Sequence, residues 1–138
     1  VSPKRSATGI DYNRVALIMA VLEKKAGFIL QSQDAFVNAV GGVRLDDPAV
    51  DLGIAIAIAS SFRNVGVPHD LVAIGEIGLT GEVRSVTQME VRMTEAKKLG
   101  FKKMIVPYTS RKIDVKGIQI SYVKTISEAL EASLEGSI

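Results

Sequence analysis

Val15-Ala16-Leu17-Ile18-Met19-Ala20-Val21-Leu22 is apolar around the whole circumference of a helix, not along one stripe. Asp11 stands where a helix over residues 12–25 needs a cap, and Gly27 where it must stop. Such a helix is expected to be covered on more than one side. Residues 28–31 and 35–40 then predict two strands turning through Ser32-Gln33-Asp34, the second broken by Gly41-Gly42. Ahead of all this, VSPKRSATG is small, polar and basic. The pattern thus separates an arm or linker remnant, residues 1–10, from a folded domain, residues 11–138.

Ile54-Ala55-Ile56-Ala57-Ile58-Ala59 alternates like a strand, yet every position is apolar or small. A helix over residues 48–63 fits better, because Asp47 suits its cap and Pro48 its first position. A buried strand is predicted over 71–77, and a hairpin turn over 78–81 leading into 82–86. Thr87 and Glu90 form a capping box for a helix over 88–99, whose apolar stripe is Met89, Met93 and Ala96. Gly100 closes it. Strands over 103–106 and 118–123 follow, and Ser127 caps a last helix to about residue 134. Helices and strands in mixed order indicate an α+β domain with helices packed on one sheet. No repeat or low-complexity tract interrupts it.

Composition narrows the function classes. At 138 residues, 47% apolar and 23% charged, the chain suits one ordinary folded domain, not a disordered segment. A net charge of +2 does not announce a nucleic-acid ligand, so any basic surface must come from how charges are placed. With no Cys and His69 the only histidine, disulfides, Cys-based zinc sites and a Ser–His–Asp triad are excluded. No signal peptide is recognisable, and apolar runs reach only about half a membrane span. A soluble, cytoplasmic protein is expected.

Three long segments carry a resemblance. They are Gly9-Ile10-Asp11-Tyr12-Asn13-Arg14-Val15, Val40-Gly41-Gly42-Val43-Arg44-Leu45-Asp46-Asp47-Pro48, and Ala73-Ile74-Gly75-Glu76-Ile77-Gly78-Leu79-Thr80-Gly81-Glu82-Val83-Arg84. In order, and over essentially the whole chain, they resemble the C-terminal domain of the RadA/Sms DNA repair and recombination family. More distantly they are similar to the proteolytic domain of Lon. The resemblance implies a Lon proteolytic-domain-like fold of the ribosomal protein S5 domain 2-like type, a mixed sheet with packed helices. It also implies that ATP, Mg and a zinc finger belong to other parts of such proteins. This chain has no Gly-x-x-x-x-Gly-Lys-Ser/Thr segment, so no cofactor is expected in it.

Lon-type chemistry needs a serine at a helix start and a lysine that takes its proton, since serine is a poor nucleophile without a base. The matching turn reads Asp46-Asp47-Pro48-Ala49-Val50-Asp51, which puts Ala49 at the nucleophile position. Counted from the Gly75-Glu76 to Gly81-Glu82 hairpin, the lysine position falls on Glu90. A methyl group and a carboxylate cannot perform the reaction, so no catalytic residue is expected. Ser60 and Ser61 lie near the end of the second helix and Lys97 and Lys98 late in the third, poor places for a relocated pair.

The remaining candidates are basic. Arg44 and Arg84 each follow a glycine turn, Arg5 lies in the arm, and Arg14 sits in a first helical turn, where the dipole mildly disfavours a cation. One reading makes them ordinary surface arginines or local partners of Asp46, Asp47 and Glu82. The family resemblance implies another, in which Arg5, Arg14, Arg44 and Arg84 contact DNA phosphates, with Lys4, Lys24 and Lys25 secondary. Such contacts are sequence-independent and salt-sensitive. Tyr12 is the one aromatic suggested for stacking, His69 reads as an exposed turn residue, and residues 95–103 as the solvated side of a helix and its exit. By resemblance the partners are single-stranded or branched DNA, copies of the same chain in a hexamer, and recombinase and helicase proteins, with no membrane. The functional expectation is a non-catalytic Lon-like scaffold for ATP-dependent branch migration in recombinational repair. A working Ser–Lys peptidase and an oligomerisation module without DNA contact stay open beside it.

Overall fold

Helix α1, Tyr12–Ala26, begins where the Asp11 carboxylate accepts the Asn13 N–H at 2.9 Å and closes at Gly27, whose φ of 75° is the left-handed conformation glycine adopts most cheaply. The computed structural model describes residues 2–42 and 44–134. Val1, Val43 and residues 135–138, which belong to the arm, the Gly-Gly-Val-Arg segment and the end of the domain, lie outside the described residues. Val15, Ile18, Met19, Val21 and Leu22 of α1 are buried, while the small Ala16 and Ala20 face outward. The helix is therefore buried along one broad side and open along the side of Tyr12, Ala16 and Ala20, so the cover that its composition predicts is only partly met.

α1 crosses between two parallel strands, β1, Arg5–Thr8, and β2, Ala35–Asn38, in the register Arg5 to Ala35 through Thr8 to Asn38. The arm reading of residues 1–10 is corrected here: four of them are a paired strand. β1 is polar except for Ala7, and its partner lies some thirty residues away, so local composition hides the pairing. Residues 28–31 form no strand. Phe28 and Leu30 are buried, but the Leu30 carbonyl is taken by the Gln33 N–H at 3.0 Å and by the Arg5 guanidinium.

A 3₁₀ turn at Pro48–Val50, capped by Asp47, runs into α2, Asp51–Arg63, which ends at left-handed Asn64. The helical reading of 48–63 holds. A three-stranded parallel sheet has the order β3, Leu71–Ala73; β6, Lys103–Pro107; and β7, Gln119–Val123. The long strand expected over 71–77 stops at Ile74-Gly75 instead. There the Gly75 N–H donates to the Ala49 carbonyl and its carbonyl accepts the Leu52 N–H, both at 3.0 Å. A Cβ on Gly75 would stand 2.9 Å from Val83 Cγ1, so only glycine lets the chain turn this close to its neighbours. It then enters a short antiparallel hairpin, β4, Glu76–Ile77, and β5, Val83–Arg84.

α3, Met89–Lys98, buries Met93 and Ala96, but the capping box is a misreading. Gln88 is the cap, in the left-handed region at φ 58°, and no side chain bonds the helix start. The Thr87 carbonyl accepts the Arg92 Nε–H at 2.8 Å, and Glu90 is exposed. In α4, Ile126–Ser133, Thr125 replaces Ser127 as the cap, accepting the Glu128 N–H at 3.2 Å while Glu128 accepts the Lys124 N–H at 2.9 Å. This is where a near-complete capping box actually forms.

The elements are those of a mixed α/β arrangement consistent with the α+β expectation, although the strands divide into three small sheets instead of one. A large core joins α1, α2 and α4 to one face of the parallel sheet. A smaller one, of Ala49, Ile74, Met93, Ala96, Met104 and Val106, seals α3 against the other face. No helix among the described residues is long and apolar enough to cross a membrane.

Candidate functional site

The turn before α2 carries Ala49, the residue that the resemblance to Lon aligns with a nucleophile. Ala49 lies in its first turn, with its N–H donated to the Asp47 carboxylate at 3.0 Å and its side chain buried in the smaller core. Glu90, in the first turn of α3, is exposed and makes no ion pair among the described residues. What joins the two helix starts is a different pair: Arg92 Nη2 meets the Asp47 carboxylate at 2.8 Å. The Asp47 carboxyl is held below its ordinary value, first by the Ala49 N–H and then by Arg92. An apolar groove of about 440 Å³ opens beside Ala49, with Val37, Val40, Ile54, Ala73 and Arg92 in its lining.

The serines considered as substitutes are engaged or remote. Ser60 donates its hydroxyl to the Val65 carbonyl, closing α2, and Ser61 faces a separate groove along β2. Among the described residues no serine or threonine hydroxyl is hydrogen-bonded to a lysine ammonium group; Ser127 donates to the Lys25 backbone carbonyl. No group of three acidic or histidine side chains there is arranged to hold a metal ion.

The four arginines are not brought together as one cluster of free cations. Arg14 forks onto Asp51, with Nε and Nη2 bonded to the two carboxylate oxygens, the second at 2.6 Å, and Nη2 reaches Glu76 at 3.5 Å. Asp51 is 1% exposed and also accepts the Ile77 N–H at 3.1 Å. The pair with Asp51 raises the Arg14 pKa against the opposing effect of burial. This junction ties α1, α2 and the β4–β5 hairpin. Arg5 donates Nε–H to the Gln33 carbonyl at 3.1 Å and a further N–H to Leu30, stapling β1 to the loop ahead of β2.

Arg44 and Arg84 are different. Arg44 pairs with Asp46 at 3.0 Å and Arg84 with Glu82 at 2.9 Å, and both guanidinia are more than half exposed. Glu82 also accepts the Thr80 hydroxyl and N–H, and these bonds hold its carboxyl down at about 2. Local pairing with Asp46 and Glu82 is therefore present, and such exposed pairs are weak and exchangeable. Lys4, Lys24, Lys25 and Tyr12 are exposed; His69 is exposed in its turn. The sequence alone assigns no role to Asp51, Glu76 or Arg92. Asp51 had a legible signal: a single charge set in Ala49-Val50-Asp51-Leu52-Gly53-Ile54, where its neighbours demand burial.

Comparison with known proteins places this geometry. The model of the family described as subunit ChlI of Mg-chelatase matches residues 10–110. The chain is 55% identical over 136 residues to DNA repair protein RadA of Halalkalibacterium halodurans, covering 96% of this chain and 30% of that protein. It is 53% identical over 137 residues to DNA repair protein RadA of Bacillus subtilis, covering 98% and 30%. With the Listeria monocytogenes RadA it shares 53% over 134 residues, covering 95% and 29%. The chain thus spans about three tenths of the length of these relatives.

Proposed function

This chain belongs to the family described as subunit ChlI of Mg-chelatase and matches about three tenths of the length of RadA proteins, and from that premise we propose that it is their C-terminal, Lon-like domain, without hydrolytic chemistry. It acts as a scaffold on which copies of the chain assemble in a hexameric ring that holds DNA. The rest of a RadA-type protein would supply the ATP-driven motor for branch migration in recombinational repair. Single-stranded or branched DNA is the ligand, and recombinases and helicases are the protein partners. The observation that carries the reading is Ala49, a buried methyl group in the first turn after Asp47, where the resemblance to Lon would call for a nucleophile. The exposed guanidinia of Arg44 and Arg84 support DNA contact, since exchanging a weak carboxylate partner for phosphate costs little. Arg5 and Arg14 fix β1 and α1 through their internal partners, and in this reading the partly exposed Arg14 also meets the ligand.

A solution mass measurement with and without single-stranded DNA tests it. A hexameric assembly that retains DNA is expected; a monomer that ignores DNA contradicts it. Serine-reactive labelling that disappears on changing one serine would establish the peptidase instead. The internal partners of all four arginines favour one second reading, an oligomerisation module with no DNA contact. A hexamer whose mass is unmoved by DNA would support that module.

A further inference from the structure

Residues 97–124 hold eight of the chain's 17 basic residues and one carboxylate, Asp114, of its 15. Elsewhere carboxylates outnumber cations, so the near-neutral total conceals a strongly basic segment. The fold gathers that segment on one layer. α3 and the loop over residues 108–118 both cover the face of the parallel sheet that packs Met104, Val106, Ile120 and Tyr122. In the loop, Ile113 and Val115 point inward to that core, which leaves Lys112 and Lys116 exposed. In α3, Met93 and Ala96 point inward, and Lys97 and Lys98 are exposed.

The two stretches meet. A Cβ on Gly117 would lie 3.4 Å from Lys97 Nζ, so the end of α3 touches the loop leading into β7. Lys102 accepts the Gln119 N–H at 2.9 Å, and Lys103 pairs in register with Gln119. Lys97, Lys98, Lys102, Lys103 and Lys116 therefore share the end of the sheet where β6 and β7 begin. Among the described residues none of them is ion-paired; all five ion pairs there use arginine. Lysines at a helix C-terminus complement its dipole, which accounts for Lys97 and Lys98 but not for Lys102, Lys103 and Lys116.

We infer that this lysine face is a second contact surface for the phosphate backbone of single-stranded nucleic acid, separate from the four arginines. Five ammonium groups with no ion-pair partner among the described residues, carried by the end of α3, the start of β6 and the loops beside them, build a positive field that a polyanion neutralises through many weak, sequence-independent contacts. An anionic membrane fits less well, because binding in a lipid interface needs an apolar face and Leu99 is the one large exposed apolar residue between these lysines. The inference rests on the DNA-holding reading above and extends it to residues that reading does not use.

Fluorescence anisotropy of the full-length protein on a labelled oligothymidylate, across a salt series, tests it. The combined variant Lys97→Gln, Lys102→Gln, Lys103→Gln, Lys116→Gln is expected to bind roughly tenfold or more weakly, with the slope of log affinity against log salt reduced by about 3. Replacing the same four lysines by arginine keeps affinity and slope. If the Gln variant does not fold, Lys102→Gln with Lys116→Gln carries the test, with a slope change of about 1.4. Unchanged affinity and slope in the Gln variant, while Arg44→Gln with Arg84→Gln weakens binding, overturns the inference and leaves the DNA reading standing. Wild-type protein that fails to bind the oligonucleotide at low salt overturns both. Loss of binding to phosphatidylserine vesicles, with DNA binding intact, assigns the face to membranes and overturns it too.

Discussion

Two regions of this molecule use arginine in opposite ways. At the junction of α1, α2 and the hairpin, Arg14 is forked onto a carboxylate with 1% exposure, and Gly75 lets the backbones close around it. At the two glycine turns, Arg44 and Arg84 rest against exposed carboxylates two residues away. The residue type is the same; burial of the partner decides the role. Removing one member of a buried pair strands a charge, whereas an exposed pair is screened and interchangeable. Under the proposed DNA contact, a loss of binding on changing Arg14 would have two sources, a lost contact and a loosened junction, while at Arg44 or Arg84 only the first would operate.

The comparison can be broken at several depths. Arg14→Ala is expected to cost about 3 kcal/mol in urea unfolding because Asp51 is left buried and unpaired, and Arg14→Met with Asp51→Leu should recover much of it. A loss below about 1 kcal/mol for the single change would remove the distinction. Gly75→Ala, in the same junction, should cost about 2 kcal/mol as its Cβ meets Val83, measured the same way. At a turn outside both regions, Thr125→Ala should lower stability by about 1 kcal/mol and Ser127→Ala by a few tenths at most. Equal losses at the two would restore Ser127 as the cap.

The smallest effect is a titration. Because Thr80 and Arg84 hold the Glu82 carboxyl down at about 2 from an ordinary 4.5, its contribution to the folded hairpin is present above the ordinary value and fades as pH falls toward 2. Its carboxyl resonance should titrate near that lower value in wild type and return toward 4.5 when Thr80 and Arg84 are both replaced by alanine. An ordinary midpoint in the wild type would mean that neither the Thr80 bond nor the Arg84 pair is kept in solution.

Local signals reached far into the fold. Asp11, Gly27, Asp47 and Gly100 mark helix ends that the structure keeps, because a cap or a left-handed closure is decided within a few residues. What failed was nonlocal or rotational. β1 is a strand only because β2 lies beside it, and the 71–77 run breaks because Gly75 binds backbone atoms of the α2 start. Thr87 has the right spacing for a cap, but left-handed Gln88 follows it and breaks the helix entry that the spacing assumes. Around the candidate site, the Asp47-capped turn that holds Ala49 and the turn positions of Arg44 and Arg84 were legible from motifs. The Asp51 partner of Arg14 and the lysine face were not, since each requires knowing which distant segments share a surface.

The account stands most directly on DNA binding by the full-length protein carrying Arg44→Gln with Arg84→Gln, measured across salt beside its unfolding curve. It predicts weaker binding of single-stranded DNA, a salt slope smaller by about 1.4, and unfolding within about 0.5 kcal/mol of wild type. Wild-type affinity with an unchanged slope would contradict it, leaving these arginines as surface partners of Asp46 and Glu82 alone.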